Sequence, residues 1–246
     1  MLKIRYSFFG RMDGNFGVDE YIDELFPIVK GKMGPVFAPR ANFTNRIVEM
    51  GEEDFPISQW IIGTRNEADG GIVSKPDQRI VLFNADCPLV AVLDQQTERF
   101  AALHAGFRCI IREIPKRSKA PRGPSIIHEL FTRHKFSPNT SKAFVGFGIG
   151  PCCYGAAHWE EAKDLTFKFP VGRATRGSRC GQISFDLYTI IRSQLLEVGL
   201  REANISIYNR CTSCEMTDFP ATLAYYSRCR DGPNKGRNAA LFWFTK

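Results

Sequence analysis

The sequence predicts an α/β (α+β) fold: a single compact domain over residues 1–246, with a mixed, largely antiparallel sheet and flanking helices. Three observations predict it. Strand-sized apolar runs, such as Ile80 to Phe83 and Leu89 to Leu93, interleave with capped helical segments, without a regular βαβ period or internal repeat. A polar four-residue stretch, Gln95 to Glu98, separates two apolar runs in the manner of an antiparallel hairpin. A chain of 246 residues, 43% hydrophobic and 24% charged, suits one large globular domain or at most two small ones.

In chain order, Leu2 to Phe9 alternates and is rich in aromatics, which predicts a strand. Gly10, Gly14 and Gly17 mark a loop. Val18 to Lys30 places Tyr21, Ile22, Leu25 and Phe26 at helical spacing, with Pro27 ending or bending the helix. Short strands are expected within residues 31–78, including Arg46 to Met50 and Trp60 to Ile62. Arg79 to Phe83, Leu89 to Asp94 and Arg99 to His104 follow as strands. After a loop rich in Pro, Lys and Arg at 116–124, Ser125 caps a helix running to about Lys135, with Ile126, Ile127, Leu130 and Phe131 on one face. Ala143 to Ile149 is a strand and His158 to Lys168 a weaker helix. Asp186 caps the strongest helix, with Leu187, Ile190, Ile191, Leu195 and Val198 inward and Gly199 at its end. Ile205 to Asn209 is a strand, Pro220 to Tyr226 a helix and Ala239 to Phe244 the last strand.

No stretch of eighteen apolar residues is present, so no membrane-spanning helix is expected. The opening MLKIRYSFFGRMDG lacks the apolar core and small-residue cleavage site of a signal peptide. A cytoplasmic location and mostly reduced thiols are therefore expected for the eight scattered cysteines. The net charge of +7 is concentrated in Lys116 to Arg122 and Arg228 to Arg237. No RNA- or DNA-reading motif surrounds these cations, so they are read as solvated loops or an anion site, with no nucleic-acid partner.

Cys87 and His104 carry the clearest chemistry. If Asp94 and Arg99 close the hairpin, His104 falls opposite Leu89, and opposed side chains lie about 4.5–5.5 Å apart. Cys87 lies two residues before Leu89, within reach after a bend at Pro88. Thiolate and imidazole are favoured zinc ligands, and a site with an open position activates water or polarises a leaving group. His104 could instead activate Cys87 as a nucleophile, or the pair could be a buried thiol beside a hydrogen-bonded histidine. Asp86 is a candidate to orient the imidazole or to act as acid or base. The small residues Ala105 and Gly106 permit close approach of a ligand, and Arg108 offers a planar donor fork for phosphate or carboxylate.

Other features read as structural. Cys211-Thr212-Ser213-Cys214 is a lone CxxC, with only Cys180 or Cys229 as conceivable partners, and Cys152-Cys153 is expected to pack at a turn. His128, His134 and His158 are expected at the surface.

Several of these residues, taken in order, resemble the YfiH family, also called laccase-domain or polyphenol oxidase proteins and peptidoglycan editing factor. The resemblance rests on Asn84-Ala85-Asp86-Cys87-Pro88, His104-Ala105-Gly106-Phe107-Arg108, Gly148-Ile149-Gly150-Pro151-Cys152-Cys153-Tyr154, Cys211-Thr212-Ser213-Cys214, and Tyr226-Ser227-Arg228-Cys229-Arg230-Asp231 with Gly236-Arg237. It covers roughly residues 67–244, and Phe8-Phe9-Gly10-Arg11 looks like the family's opening strand and arginine. The resemblance implies one compact α/β/α-type sandwich. It also implies phosphorolysis of adenosine, inosine and methylthioadenosine, deamination of adenosine, and zinc held by two histidines and one cysteine.

Cys87 and His104 match the zinc cysteine and the second histidine. Arg108, with Arg11 and Arg230, would position phosphate or substrate. At the first histidine this chain departs from the family: the alignment sets Phe43 there, and Cys109, Asp86 or a carboxylate such as Glu67 are the candidate replacements. Copper is disfavoured on residue grounds, because four histidines without a His-x-His pair cannot build a three-copper cluster. The expected partners are a purine nucleoside and phosphate, with no membrane and a monomer or homodimer. Two alternatives remain: a metal-free, non-catalytic nucleoside-binding protein, and a hydrolase editing muramyl-nucleotide cell-wall precursors.

Overall fold

The computed structural model describes residues 2–13, 36–52, 54–57, 61–76, 78–111, 123–155, 171–173, 183–218, 222–232 and 236–246. The helices expected at Val18 to Lys30 and His158 to Lys168, and the basic run 116–122, lie outside these residues.

The strands are β1 (Lys3–Phe9), β2 (Val36–Ala38), β3 (Ile47–Glu49), β4 (Asp54–Pro56), β5 (Ile61–Thr64), β6 (Gly70–Val73), β7 (Arg79–Asn84), β8 (Leu89–Asp94), β9 (Arg99–His104), β10 (Ser141–Val145), β11 (Val171–Arg173), β12 (Ile183–Phe185), β13 (Ile205–Ile207) and β14 (Asn238–Thr245). The helices are α1 (Phe107–Ile110), α2 (Ile126–Thr132), α3 (Leu187–Glu197) and α4 (Arg228–Asp231), with a 3-10 turn at Glu202–Asn204. Where one sheet is expected, there are two six-stranded ones, ordered β1-β14-β7-β2-β5-β4 and β13-β10-β8-β9-β6-β3, beside a small β11-β12 ribbon. Most pairings are antiparallel, while β2–β5, β2–β7, β3–β6 and β10–β13 are parallel.

The β8–β9 hairpin explains the layering. All six residues of β8 are buried. Val90 and Val92 pack with Ala101 and Leu103 against Ile126, Ile127 and Leu130 of α2 and Ile190, Ile191 and Leu195 of α3. Leu89, Ala91 and Leu93 pack with Phe100 and Ala102 against Ile80, Leu82, Phe242 and Phe244 of the other sheet. Strands with a helix layer on one face and a sheet on the other read as continuous apolar runs rather than alternating ones. Each such Leu or Val contributes about 1.5–3 kcal/mol by burial. Among the described residues the layers therefore run sheet, sheet, helix.

The hairpin register is the expected one, with Leu89 opposite His104 and Asp94 opposite Arg99. Asp186 caps α3 as expected, accepting from the Tyr188 and Thr189 amides at 3.1 and 3.2 Å. Gly199 (φ +99°) ends the helix, its amide donating to Leu196 O and that of Leu200 to Leu195 O. Three expectations need correction. Helix α2 stops at Thr132 rather than Lys135, because Lys135 turns left-handed (φ +59°) and folds Phe136 back to Leu130 O. Strand β10 stops at Val145, and Gly146 to Ile149 leave it to bond Leu89 O, Arg210 O and Asp86 O. Residues 222–226 are not helical, because Leu223 bridges Met216 and the amides of Ala224 and Thr217 bond Glu215 O and Thr222 O.

Candidate functional site

His104 ends β9, and the β6–β9 register that pairs Gly70 with Leu103 brings the preceding Asp69 beside it. The His104 amide donates to Asp69 O at 2.6 Å, and the imidazole Nδ1 lies 2.9 Å from Asp69 Oδ1. Both side chains are buried, Asp69 completely. The Asp69 carboxylate also accepts from the Phe43 amide at 2.9 Å, the Asn45 amide at 3.0 Å, the Thr44 hydroxyl at 2.9 Å and the Thr44 amide. Phe43 and Asn45 adopt left-handed backbone (φ +59° and +61°), which turns successive amides toward one anion. Burial alone would raise the Asp69 carboxyl, but the hydrogen bond and charge of His104 and the Thr44 and Phe43 donors hold it below its ordinary range.

Two thiols approach the imidazole. Cys109, on α1, brings its Sγ within 4.8 Å of a His104 ring nitrogen, and Cys87, in the turn before β8, lies close enough for its charge to act on the ring. Burial would lower the His104 pKa, yet the charge of Cys87, the hydrogen bond to Asp69 and the neighbouring thiols raise it well above its ordinary value. Burial pushes the Cys109 thiol up to about 11. Gly106 makes this convergence possible: a Cβ there would stand 2.8 Å from Cys87 Sγ, 3.0 Å from Phe43 Cε1 and 3.2 Å from His104 Cε1. The Phe43 ring sits 5.3 Å from the imidazole at an interplanar angle of 60°.

A cavity of about 580 Å³ opens beside this centre, lined by Phe43, Asp86, Cys87, Arg108, Tyr154, Arg228 and Asp231, among others. Arg108 reaches over the Phe43 ring at 5.9 Å.

Asp86 does not orient the imidazole; Asp69 does. Held in left-handed backbone (φ +97°), Asp86 accepts from the Thr212 hydroxyl at 2.8 Å and the Cys229 amide at 2.7 Å, tying the Cys87 turn to the 211–214 turn and to α4. Arg230 borders the cavity, but its five donors are engaged within the protein: Nε and Nη2 with Asp231, Nη2 also with Tyr225 O, and Nη1 with Thr212 O and Ser213 O. Arg11 stacks over Tyr226 at 4.8 Å and pairs with Asp231 at 3.4 Å. These bonds tie Arg11 and Arg230 to α4 beside the cavity. Glu67 is only half-buried, two residues from Asp69.

Asp69, His104 and Cys109 offer three potential ligand atoms within 4.8 Å of one another. Asp69 is the weakest donor of the three, because its oxygens already accept five bonds. It suits the carboxylate behind a metal-binding histidine, fixing Nδ1 and leaving Nε2 as the ligand atom. Cys109 and His104 Nε2 are then the soft and borderline donors that zinc prefers, with Cys87 beside them on the cavity wall. Cys109 had been a candidate third ligand on sequence grounds, whereas Asp69 carried no signal beyond preceding the Gly70-Gly71 pair. Arg228 and Tyr154 lie inside recognisable motifs but had no assigned role.

Elsewhere, His128 Nδ1 lies 2.8 Å from Ser125 Oγ and Nε2 3.6 Å from Glu197, a partly exposed helix-cap arrangement. His158 lies outside the described residues. The two cysteine pairs, expected apart, meet: the Sγ atoms of Cys152, Cys153, Cys211 and Cys214 all lie within 4.8 Å of one another.

Residues 12–245 match the family described as "Multi-copper polyphenol oxidoreductase laccase". The purine nucleoside phosphorylase YlmD of Geobacillus stearothermophilus is 32% identical over 112 residues, covering 45% of this chain and 38% of that protein. A purine nucleoside phosphorylase of Xylella fastidiosa is 26% identical over 182 residues, covering 72% of this chain and 60% of that protein. This chain thus spans less than two thirds of either relative's length. The crystal structure of the Bacillus licheniformis hypothetical protein YfiH shares the fold with a TM-score of 0.65 at 20% identity, covering 92% of this chain and 80% of that one.

Proposed function

The chain belongs to the family described as multi-copper polyphenol oxidoreductase laccase, the YfiH family, and on that premise we propose that it is a purine nucleoside enzyme whose reacting centre is Cys87, His104 and Asp69. The observation that carries this reading is the Cys87–His104–Asp69 contact chain at the edge of a cavity that also presents Arg108 and Arg228. Relatives named purine nucleoside phosphorylases support the substrate class, and phosphorolysis of adenosine, inosine or methylthioadenosine is the reaction proposed. Adenosine deamination is a companion activity of the same pocket. The proposed setting is the cytoplasm; no helix among the described residues is long and apolar enough to cross a membrane.

Phosphorolysis breaks the bond between ribose C1′ and purine nitrogen and forms one from C1′ to a phosphate oxygen, and the departing base takes up a proton. The anion needs fixed positive charge, which Arg108 and the exposed Arg228 bring to the cavity. The proton needs a donor, and an imidazole whose pKa is raised well above its ordinary value holds one at neutral pH. Asp69 fixes the ring so that Nε2 is the nitrogen left to work. Cys109 and His104 Nε2, with Cys87 beside them, would hold zinc, which when bound supplies a Lewis acid and a water of lowered pKa; His104 would then serve as a ligand, and as proton donor only in the metal-free site. Oxidase chemistry is not proposed, because no His-x-His pair exists to hold coupled copper.

A second reading rests on Phe43. Its ring stands beside His104, the resemblance sets it where the family has its first zinc histidine, and a phenyl ring cannot ligate. A pocket that binds a nucleoside without turning it over is the corresponding function.

The two readings separate when the purified chain is incubated with adenosine, inosine and methylthioadenosine, with and without phosphate. The enzyme reading expects phosphate-dependent release of free base. Calorimetric nucleoside binding without any product would select the second reading and sink the first.

A further inference from the structure

We infer that Cys152, Cys153, Cys211 and Cys214 form a closed tetrathiolate site for a thiophilic divalent cation, with zinc the best fit, that braces one wall of the cavity without joining the reaction. Neither cysteine pair makes a site alone, since a lone CxxC lacks two ligands and adjacent cysteines are common at turns. The fold supplies the missing halves. Gly148 bridges Cys211 in parallel, the Gly148 amide donates to Arg210 O at 3.3 Å, and the Thr212 amide donates to Gly148 O at 2.9 Å. These bonds zip the 148–154 turn to the 211–215 turn and set the four sulfurs together.

The geometry fits a metal. Four Sγ atoms lie within 4.8 Å of one another, and Cys152 Sγ is 3.7 Å from Cys214 Sγ. A zinc–sulfur distance of about 2.3 Å makes the edge of a regular tetrahedron about 3.8 Å. The Gly150 amide donates to Cys211 Sγ at 3.3 Å, as a ligating sulfur requires of its surroundings. Gly150 also keeps the approach open, since a Cβ there would stand 3.3 Å from Cys152 Sγ and 3.6 Å from Cys211 Sγ. Four protein ligands leave no open coordination position, which makes the site structural rather than catalytic.

The role follows from what the CxxC turn holds. Between its cysteines, Thr212 donates to Asp86 Oδ1 at 2.8 Å, and Thr212 O and Ser213 O accept from Arg230 at 3.2 and 2.6 Å. Asp86 fixes the turn carrying Cys87, and Arg230 fixes α4. A metal at the four sulfurs therefore stiffens the cavity wall through Asp86 and Arg230. This site stands independently of the enzymatic reading, because it shares no ligand with Cys87, Cys109 or His104.

The test uses the full chain carrying Cys87→Ser and Cys109→Ser, which disables the other thiol site, stripped of metal under reducing conditions and titrated with Co²⁺. The expected result is one tightly held equivalent with the intense sulfur-to-cobalt charge-transfer and visible bands of a tetrahedral tetrathiolate. Adding Cys211→Ser and Cys214→Ser should abolish that equivalent. Should this variant fail to fold, thiol labelling of the parent decides: cobalt must shield the half-buried Cys152 and Cys214, which react when it is absent. Failure to bind cobalt, a spectrum of mixed nitrogen or oxygen ligation, or equal labelling with and without cobalt overturns the proposal. So does recovery of a metal-free chain with these cysteines paired as disulfides.

Discussion

Asp69 stands behind His104, Oδ1 to Nδ1 at 2.9 Å, with the carboxylate completely buried and wrapped by the amides of residues 43–45. One side chain thereby fixes both the ring that faces Cys87 and the loop that carries Phe43.

Asp69→Ala removes one member of that buried pair and strands the donors of the 43–45 loop. A loss of about 3–5 kcal/mol is expected, the range for breaking a buried ion pair from one side. Urea unfolding of the metal-free variant and parent measures it. A loss below about 1 kcal/mol, the range of exposed pairs, would show that the contact is not holding the site.

Gly106→Ala adds a methyl where Cys87, Phe43 and His104 converge. Gly106 has φ −67°, a conformation alanine accepts, so the effect is steric alone. A destabilisation of about 1–3 kcal/mol is expected, with a larger fall in activity than that loss accounts for. Parallel unfolding and turnover measurements check it; unchanged turnover contradicts the proposed convergence.

Phe43→His places an imidazole beside His104, and histidine tolerates the left-handed backbone at φ +59° better than phenylalanine. Zinc affinity should rise by roughly tenfold or more, about 1.4 kcal/mol. Competition against a chromogenic chelator reads this, with Phe43→Ala as the control that adds space without a ligand. Equal affinities in the two variants would detach Phe43 from the metal question.

The hairpin that places Cys87 and His104 was readable because its signals are local: a polar turn between two strand-sized apolar runs, and two flanking motifs. The same chemistry made Asp186 and Ser125 legible as caps. Asp69 was not, since it meets His104 only through the β6–β9 pairing across thirty-five residues. The four sulfurs meet only through a bridge between Gly148 and Cys211, and nothing near either pair announces the other. One sheet was expected where two formed, because a strand buried on both faces does not say which layer covers each. Asp86 illustrates the limit at a single residue: its place before Cys87 suggested a catalytic carboxylate, and nothing in the sequence announced that its oxygens also bind Thr212 and the Cys229 amide.

Asp94, at the closing pair of the hairpin, gives a pH prediction. Burial would raise its carboxyl, but hydrogen bonds from Thr140, Thr97 and the Gln96 and Ser137 amides win and hold it below its ordinary value. A carboxylate with a lowered folded pKa stabilises the protein above its unfolded pKa of about 3.9, and that contribution is lost as pH falls through the folded value. Thr140→Val removes a 2.6 Å donor and should cost about 1.5–3 kcal/mol at neutral pH. Acid unfolding should shift to higher pH, and the difference between variant and parent should shrink below the ordinary carboxylate range. An unshifted acid midpoint contradicts it.

The central claim is that Cys87, held against His104 and Asp69, is the reacting centre for a purine nucleoside. Phosphate-dependent release of adenine from adenosine, compared between the parent chain and Cys87→Ala at matched folded fraction, tests it most directly. The account predicts clear release by the parent and a fall of roughly a thousandfold in the variant. Release by Cys87→Ala at the parental rate would contradict it.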